Sequence, residues 1–158
     1  MALPPQYMIE NAEDVVILET KENAYNLRKI LLCIGGIDLF LNMINGILMM
    51  NDFQYYFINF FLNFMILFGL IGINRYNITY ANCYKYYNIV EIIGRCLVMF
   101  YININLYYFI INCISIFINI YTIKLILNFG SEINKLNEKQ IEDLQNNWRP
   151  IKQQIIFI

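Results

Sequence analysis

Three ionisable side chains, Asp38, Glu91 and Arg95, stand inside otherwise apolar stretches of the chain. Glu91 and Arg95 are four residues apart, so a helix places them on one face with the acid first, the favourable order for such a pair. Asp and Arg at the centre of a membrane helix each cost about 2.5–3.5 kcal/mol, so both charges call for partners inside a bundle. Two chemistries fit: a proton or ion path running through the carboxylates, or polar glue that fixes helix register and partner choice. The glue reading is preferred, because charge pairs occur in purely structural networks as well as at functional sites. A small transporter or channel subunit would rest on Asp38, Glu91 and Arg95 alone. The chain has no histidine, hence no base with an ordinary pKa near 7. It also lacks metal-ligand spacing and a phosphate-cradling glycine loop. It is therefore expected not to be an enzyme and to use no cofactor or metal.

The elements that must position these residues follow from hydropathy. Of 158 residues, 59% are hydrophobic and 15% charged, against about 45–50% and 25% in soluble domains. This composition predicts an integral membrane protein. A net charge of −1 excludes nucleic acid as an electrostatic partner. Residues 30–50 and 53–73 form two apolar runs separated by Asn51 and Asp52, each long enough for the roughly 20 residues of one crossing. After a polar segment at 74–82, the chain stays apolar to Phe129, enough for two more spans broken at Asn103-Ile104-Asn105. The predicted fold is all-α, a four-helix membrane bundle with helices at about 30–50, 53–73, 84–102 and 106–128. Isolated strands could not satisfy their edge groups in lipid.

Basic residues set the orientation. Lys21, Arg28 and Lys29 precede helix one, Arg75 and Lys85 lie between helices two and three, and Lys124, Lys135, Lys139, Arg149 and Lys152 lie at or after the end of helix four. Arg95 alone lies deep within a span, Lys85 and Lys124 falling near span ends on the same side as the other basic residues, and neither remaining loop is basic. Both the polar, acidic segment 1–29 and the tail 130–158 are thus expected to be cytoplasmic, with no secretory signal or mitochondrial presequence pattern. On this topology the sequon Asn77-Ile78-Thr79 stays unmodified. Asp38 and Glu91 then lie at a similar depth, roughly 10–12 Å in at 1.5 Å per residue, and Arg95 can reach back toward them.

In the tail, Ser131 is expected to cap a short helix with Ile133, Leu136, Ile141 and Leu144 as an apolar stripe and Pro150 as its stop. The preferred reading is a solvated helix continuing helix four, the alternative a helix docked on a partner or at the membrane surface. The terminal Ile155 to Ile158 could fill a groove on another subunit. Gly35, Gly36, Gly46, Gly69, Gly72 and Gly94 are expected at close helix contacts. Tyr55, Tyr56, Tyr84, Tyr86, Tyr87, Tyr107 and Tyr108 sit near predicted helix ends and read as headgroup anchors. Cys33, Cys83, Cys96 and Cys113 read as reduced thiols, with Cys83 a candidate for palmitoylation at a membrane edge. The many Ile, Asn, Tyr and Phe residues favour AT-rich codons, so isolated asparagines are given no weight.

FGLIGIN at 68–74 and YKYYNIVEIIGRCLVMFYI at 84–102 resemble the middle of the small tetraspan Golgi membrane proteins known as COPI-associated proteins. Phe68-Gly69 and Gly94-Arg95 occupy the places of that family's Phe-Gly stretch and Gly-Arg pair. Asn74 stands where an acidic residue would be expected, and the chain ends without a dilysine signal. The resemblance implies a non-enzymatic trafficking protein of Golgi or endosomal membranes that contacts lipid, coat proteins and other membrane proteins. The alternative expectation is an accessory structural subunit of a large membrane complex, such as a respiratory or ATP synthase complex in the mitochondrial inner membrane of an AT-rich protist.

Overall fold

A computed structural model describes residues 12–48, 53–101, 106–146 and 148–150. These residues form five α-helices and no strand: α1 (Ala12–Leu48), α2 (Phe53–Asn74), α3 (Ile78–Tyr101), α4 (Leu106–Asn134) and α5 (Glu138–Gln145). The Asn51-Asp52 and Asn103 to Asn105 connections and the terminal Ile155 to Ile158 lie outside the described residues, as do the side chains of Tyr55, Tyr56, Tyr107 and Tyr108. One described stretch, Phe109–Asn134, is long and apolar enough to cross a membrane, and Phe60–Asn74 is a shorter apolar one.

The helix ends differ from those expected from hydropathy. Helix α1 begins at Ala12, inside the acidic segment, with Glu13 and Asp14 in its first turn, where negative charge complements the helix dipole. No glycine or proline interrupts the chain between Ala12 and Ile34, so polarity changes there without ending the helix. Helix α3 begins at Ile78 rather than near residue 84, since the Asn77 side chain accepts the Tyr80 amide at 3.2 Å and caps it. Ser131 lies within α4 and is not a cap. The break comes later, where Asn137 and Gln140 form a reciprocal capping box, each bond 2.9 Å, that starts α5.

Helices α1 to α4 form a closed ring of neighbours, α1 on α2, α2 on α3, α3 on α4 and α4 on α1. The α2 to α3 turn is held by Tyr76, whose φ of 52° is uncommon for a residue with a side chain. That side chain is almost fully buried and stacks on Phe129 with ring centroids 6.0 Å apart. Arg28 lies over its ring at 5.2 Å and donates to its hydroxyl at 3.3 Å and to Asn74 Oδ1 at 2.6 Å. Burial pushes the Tyr76 phenol above its ordinary value, an effect that Arg28 partly offsets.

The tail helix is not a solvated continuation of helix four: it folds back on the end of the bundle that holds this turn. Leu144 is buried there, the buried Lys21 ammonium pairs with Asp143 at 2.9 Å, and Gln145 Nε2 donates to the Arg75 carbonyl at 2.7 Å. Trp148 meets Tyr25 edge-on at 6.1 Å. Short amphipathic helices gain most of their stability from such packing rather than from propensity.

The expected glycine contacts divide into two groups. A Cβ on Gly35 would fall 2.3 Å from Leu70, one on Gly69 would fall 2.6 Å from the Tyr84 backbone nitrogen, and one on Gly72 would fall 2.4 Å from that of Ala81. Gly36 and Gly94, expected at helix contacts, meet nothing within 4 Å, because each lies on an exposed side of its helix. Since backbone cannot yield as a side chain can, Gly72→Ala is expected to destabilise the fold by about 1–3 kcal/mol. Gly94→Ala should stabilise it by up to about 1 kcal/mol through helix propensity. Thermal unfolding followed by helical circular dichroism in detergent checks both signs.

Candidate functional site

The spacing of residues 84, 87, 88, 91 and 95 puts them on one face of α3, directed into the ring of helices. The tightly packed core runs from the α2 to α3 turn as far as Tyr84 and Tyr87. Beyond that level the facing residues Asp38, Asn42, Glu91, Arg95 and Asn112 are half-buried. A row of polar contacts crosses the bundle where these two regions meet.

The row starts on α1, where Asp38 Oδ2 accepts a hydrogen bond from the Tyr84 hydroxyl. Asn42, one turn along, donates from Nδ2 to the Tyr87 hydroxyl at 2.6 Å and to the Asp38 backbone carbonyl at 3.1 Å. Glu91 follows Tyr87 by four residues on the same face of α3 and carries the row onward. The Arg95 guanidinium donates through Nε to Glu91 at 2.9 Å and through a terminal nitrogen to Asn112 Oδ1 on α4 at 3.2 Å. Three helices are thereby joined by hydrogen bonds between side chains.

Of the expected cluster of Asp38, Glu91 and Arg95, the structure brings Glu91 and Arg95 into direct contact, while Asp38 is held by Tyr84. Tyr84 and Tyr87, expected to anchor at headgroup level, are instead fully buried, with rings stacked 6.0 Å apart. Their helical spacing to Glu91 and Arg95 was the available signal for this. Tyr86 points outward, with Lys85 over its ring at 4.8 Å. Asn42 and Asn112 carry no distinguishing sequence signal, since asparagine is abundant throughout this chain. Cys83 is half-buried and Cys33 exposed, and neither is in a disulfide.

A shallow cavity of about 540 Å³ lies at the other end of the α3 to α4 seam, lined by Ile78, Asn82, Ile126, Gly130, Ser131 and Lys135 among others. Its ammonium, Lys135, is paired with Glu132 at 2.6 Å, which leaves it near electrical neutrality. Comparison with protein-family models, with curated proteins and with solved structures finds no match for the chain.

Replacing Arg95 with Leu removes the cation facing Glu91 and the donor to Asn112, while Tyr84→Phe removes the hydroxyl that serves Asp38. Each change is expected to lower stability by about 1–3 kcal/mol, the cost of leaving a buried polar group unmet. Steady-state abundance and the thermal midpoint should fall for both variants and stay unchanged for Tyr86→Phe, whose ring faces outward.

Proposed function

We propose that the chain is a four-span integral membrane protein without catalysis of its own, acting through protein contacts in the membranes of the Golgi and endosomes. The observation that carries the membrane part is an inverted distribution of polarity. Large apolar side chains cover the outside of α1 to α4, with Phe40, Phe61 and Phe117 at 63%, 62% and 74% exposure, while Asn88, Asn119 and Thr122 are buried. Water-soluble monomers rarely expose so continuous an apolar surface. On this reading lipid covers the belt, and the hydrogen bonds of the polar row replace the water that lipid cannot supply.

The Golgi and coat-protein assignment is supported by the resemblance carried by Phe68-Gly69 and Gly94-Arg95. The folded-back tail gives it a shape: α5 and the α2 to α3 turn make a compact basic and acidic end, the part that partners in the cytoplasm would meet. A second reading, an accessory subunit of a larger membrane assembly, is favoured by the Glu91 to Arg95 pair, whose side chains are 21% and 30% exposed. A neighbouring subunit would cover that opening.

The protein, tagged at its own locus, is expected to resist alkaline carbonate extraction, to leave Asn77 insensitive to glycosidase, and to purify in mild detergent as a small species with coat proteins. Release by carbonate would refute the membrane reading. A stoichiometric place in a very large inner-membrane complex would replace the trafficking assignment with the subunit one.

A further inference from the structure

Helices α3 and α4 meet along a seam with a seven-residue repeat. Arg95 bonds Asn112 across it, and Gly130 faces Ile78 at its far end, so the helices run antiparallel. One heptad back on α3 and one forward on α4 brings Asn88 opposite Asn119, and another brings Ala81 opposite Ile126. All four of these side chains are buried, Asn88 at 0% and Asn119 at 4% exposure. The middle rung therefore consists of two carboxamides enclosed between apolar and charged rungs.

The two amides carry complementary unmet atoms. Asn88 Nδ2 donates to the Tyr84 carbonyl at 2.7 Å, while its Oδ1, an acceptor, has no hydrogen-bond partner. On the facing helix it is Asn119 Nδ2, a donor, that has none. Buried amide atoms are rarely left so, because each forfeits the hydrogen bond it would make with water. A guest that serves both must donate to one and accept from the other, must be neutral, and must be small. A cation would be repelled by the Asn119 amide protons, and an anion by Asn88 Oδ1.

We propose that Asn88 and Asn119 form a binding site for one internal water molecule, which donates to Asn88 Oδ1 and accepts from Asn119 Nδ2. Buried waters characteristically bridge such pairs and persist as part of the structure. The bridge adds a second polar rung one heptad from Arg95 and Asn112, so the antiparallel register of α3 and α4 is specified twice. The inference stands on this seam alone and holds whether or not the bundle lies in lipid.

The test combines a wild-type measurement with a mutant cycle. In detergent-solubilised protein, NMR should show cross-peaks from the Asn88 and Asn119 side-chain amides to a long-lived water. Asn88→Leu and Asn119→Leu should each lower the thermal midpoint by about 5 °C, since each leaves one orphaned amide. The double variant should recover most of that loss. Coupled losses without a water cross-peak would mean a direct amide to amide bond and overturn the water site. Strictly additive losses would overturn the pairing itself.

Discussion

Tyr84 is the side chain on which three helices depend. Gly69 lets the α3 backbone come against α2 at this residue, so closely that a Cβ there would fall within 3 Å of the Tyr84 backbone. The ring then reaches α1, passing 3.3 Å from where a Cβ on Gly35 would stand, and the hydroxyl ends on Asp38. Steric permission at two glycines and one hydrogen bond thus act through a single residue. A carboxylate in an apolar helix is tolerable because its donor arrives with the packing that defines the core.

The two ends of the bundle are built differently. Toward the α2 to α3 turn the interior is close-packed and mainly apolar, from Leu31, Ile73 and Ala81 to Phe129 and Leu144, and α5 closes it. Past Asn88 the interior becomes half-buried and polar, and cohesion passes from dispersion to hydrogen bonds through Asn42, Glu91, Arg95 and Asn112. Polar contacts are directional, so this half specifies register more sharply than a uniform apolar seam would. It is also the half where a partner could add contacts without displacing a finished core.

The closed end shows how an ion pair can hold a tail without being strong. Lys21 is almost fully buried while Asp143 is about half-exposed, so water moderates the attraction. Leu144, the bond from Gln145 to the Arg75 carbonyl and the contact between Trp148 and Tyr25 share the task. The capping box at Asn137 lets α4 stop and the chain reverse within a few residues. These contacts join α1, the α2 to α3 turn and α5, which are remote in sequence.

Local chemistry made part of this legible from residues alone. The apolar runs indicated helices, the four-residue spacing joined Glu91 to Arg95 on one face, and Gly69 and Gly72 marked close approach, because each property depends on periodicity along one helix. Hydropathy could not locate the start of α1 or α3, since it reports transfer from water, whereas helix ends are set by caps such as Asn77 and by the absence of breakers. Nor could it separate Gly35 from Gly36, which differ only in which face meets a neighbour. The burial of Tyr84 and Tyr87, the partner of Asp38 and the return of α5 onto α1 were decided only by tertiary structure. Each is a contact between residues far apart in the chain, and its energy depends on how helices rotate and stagger against one another.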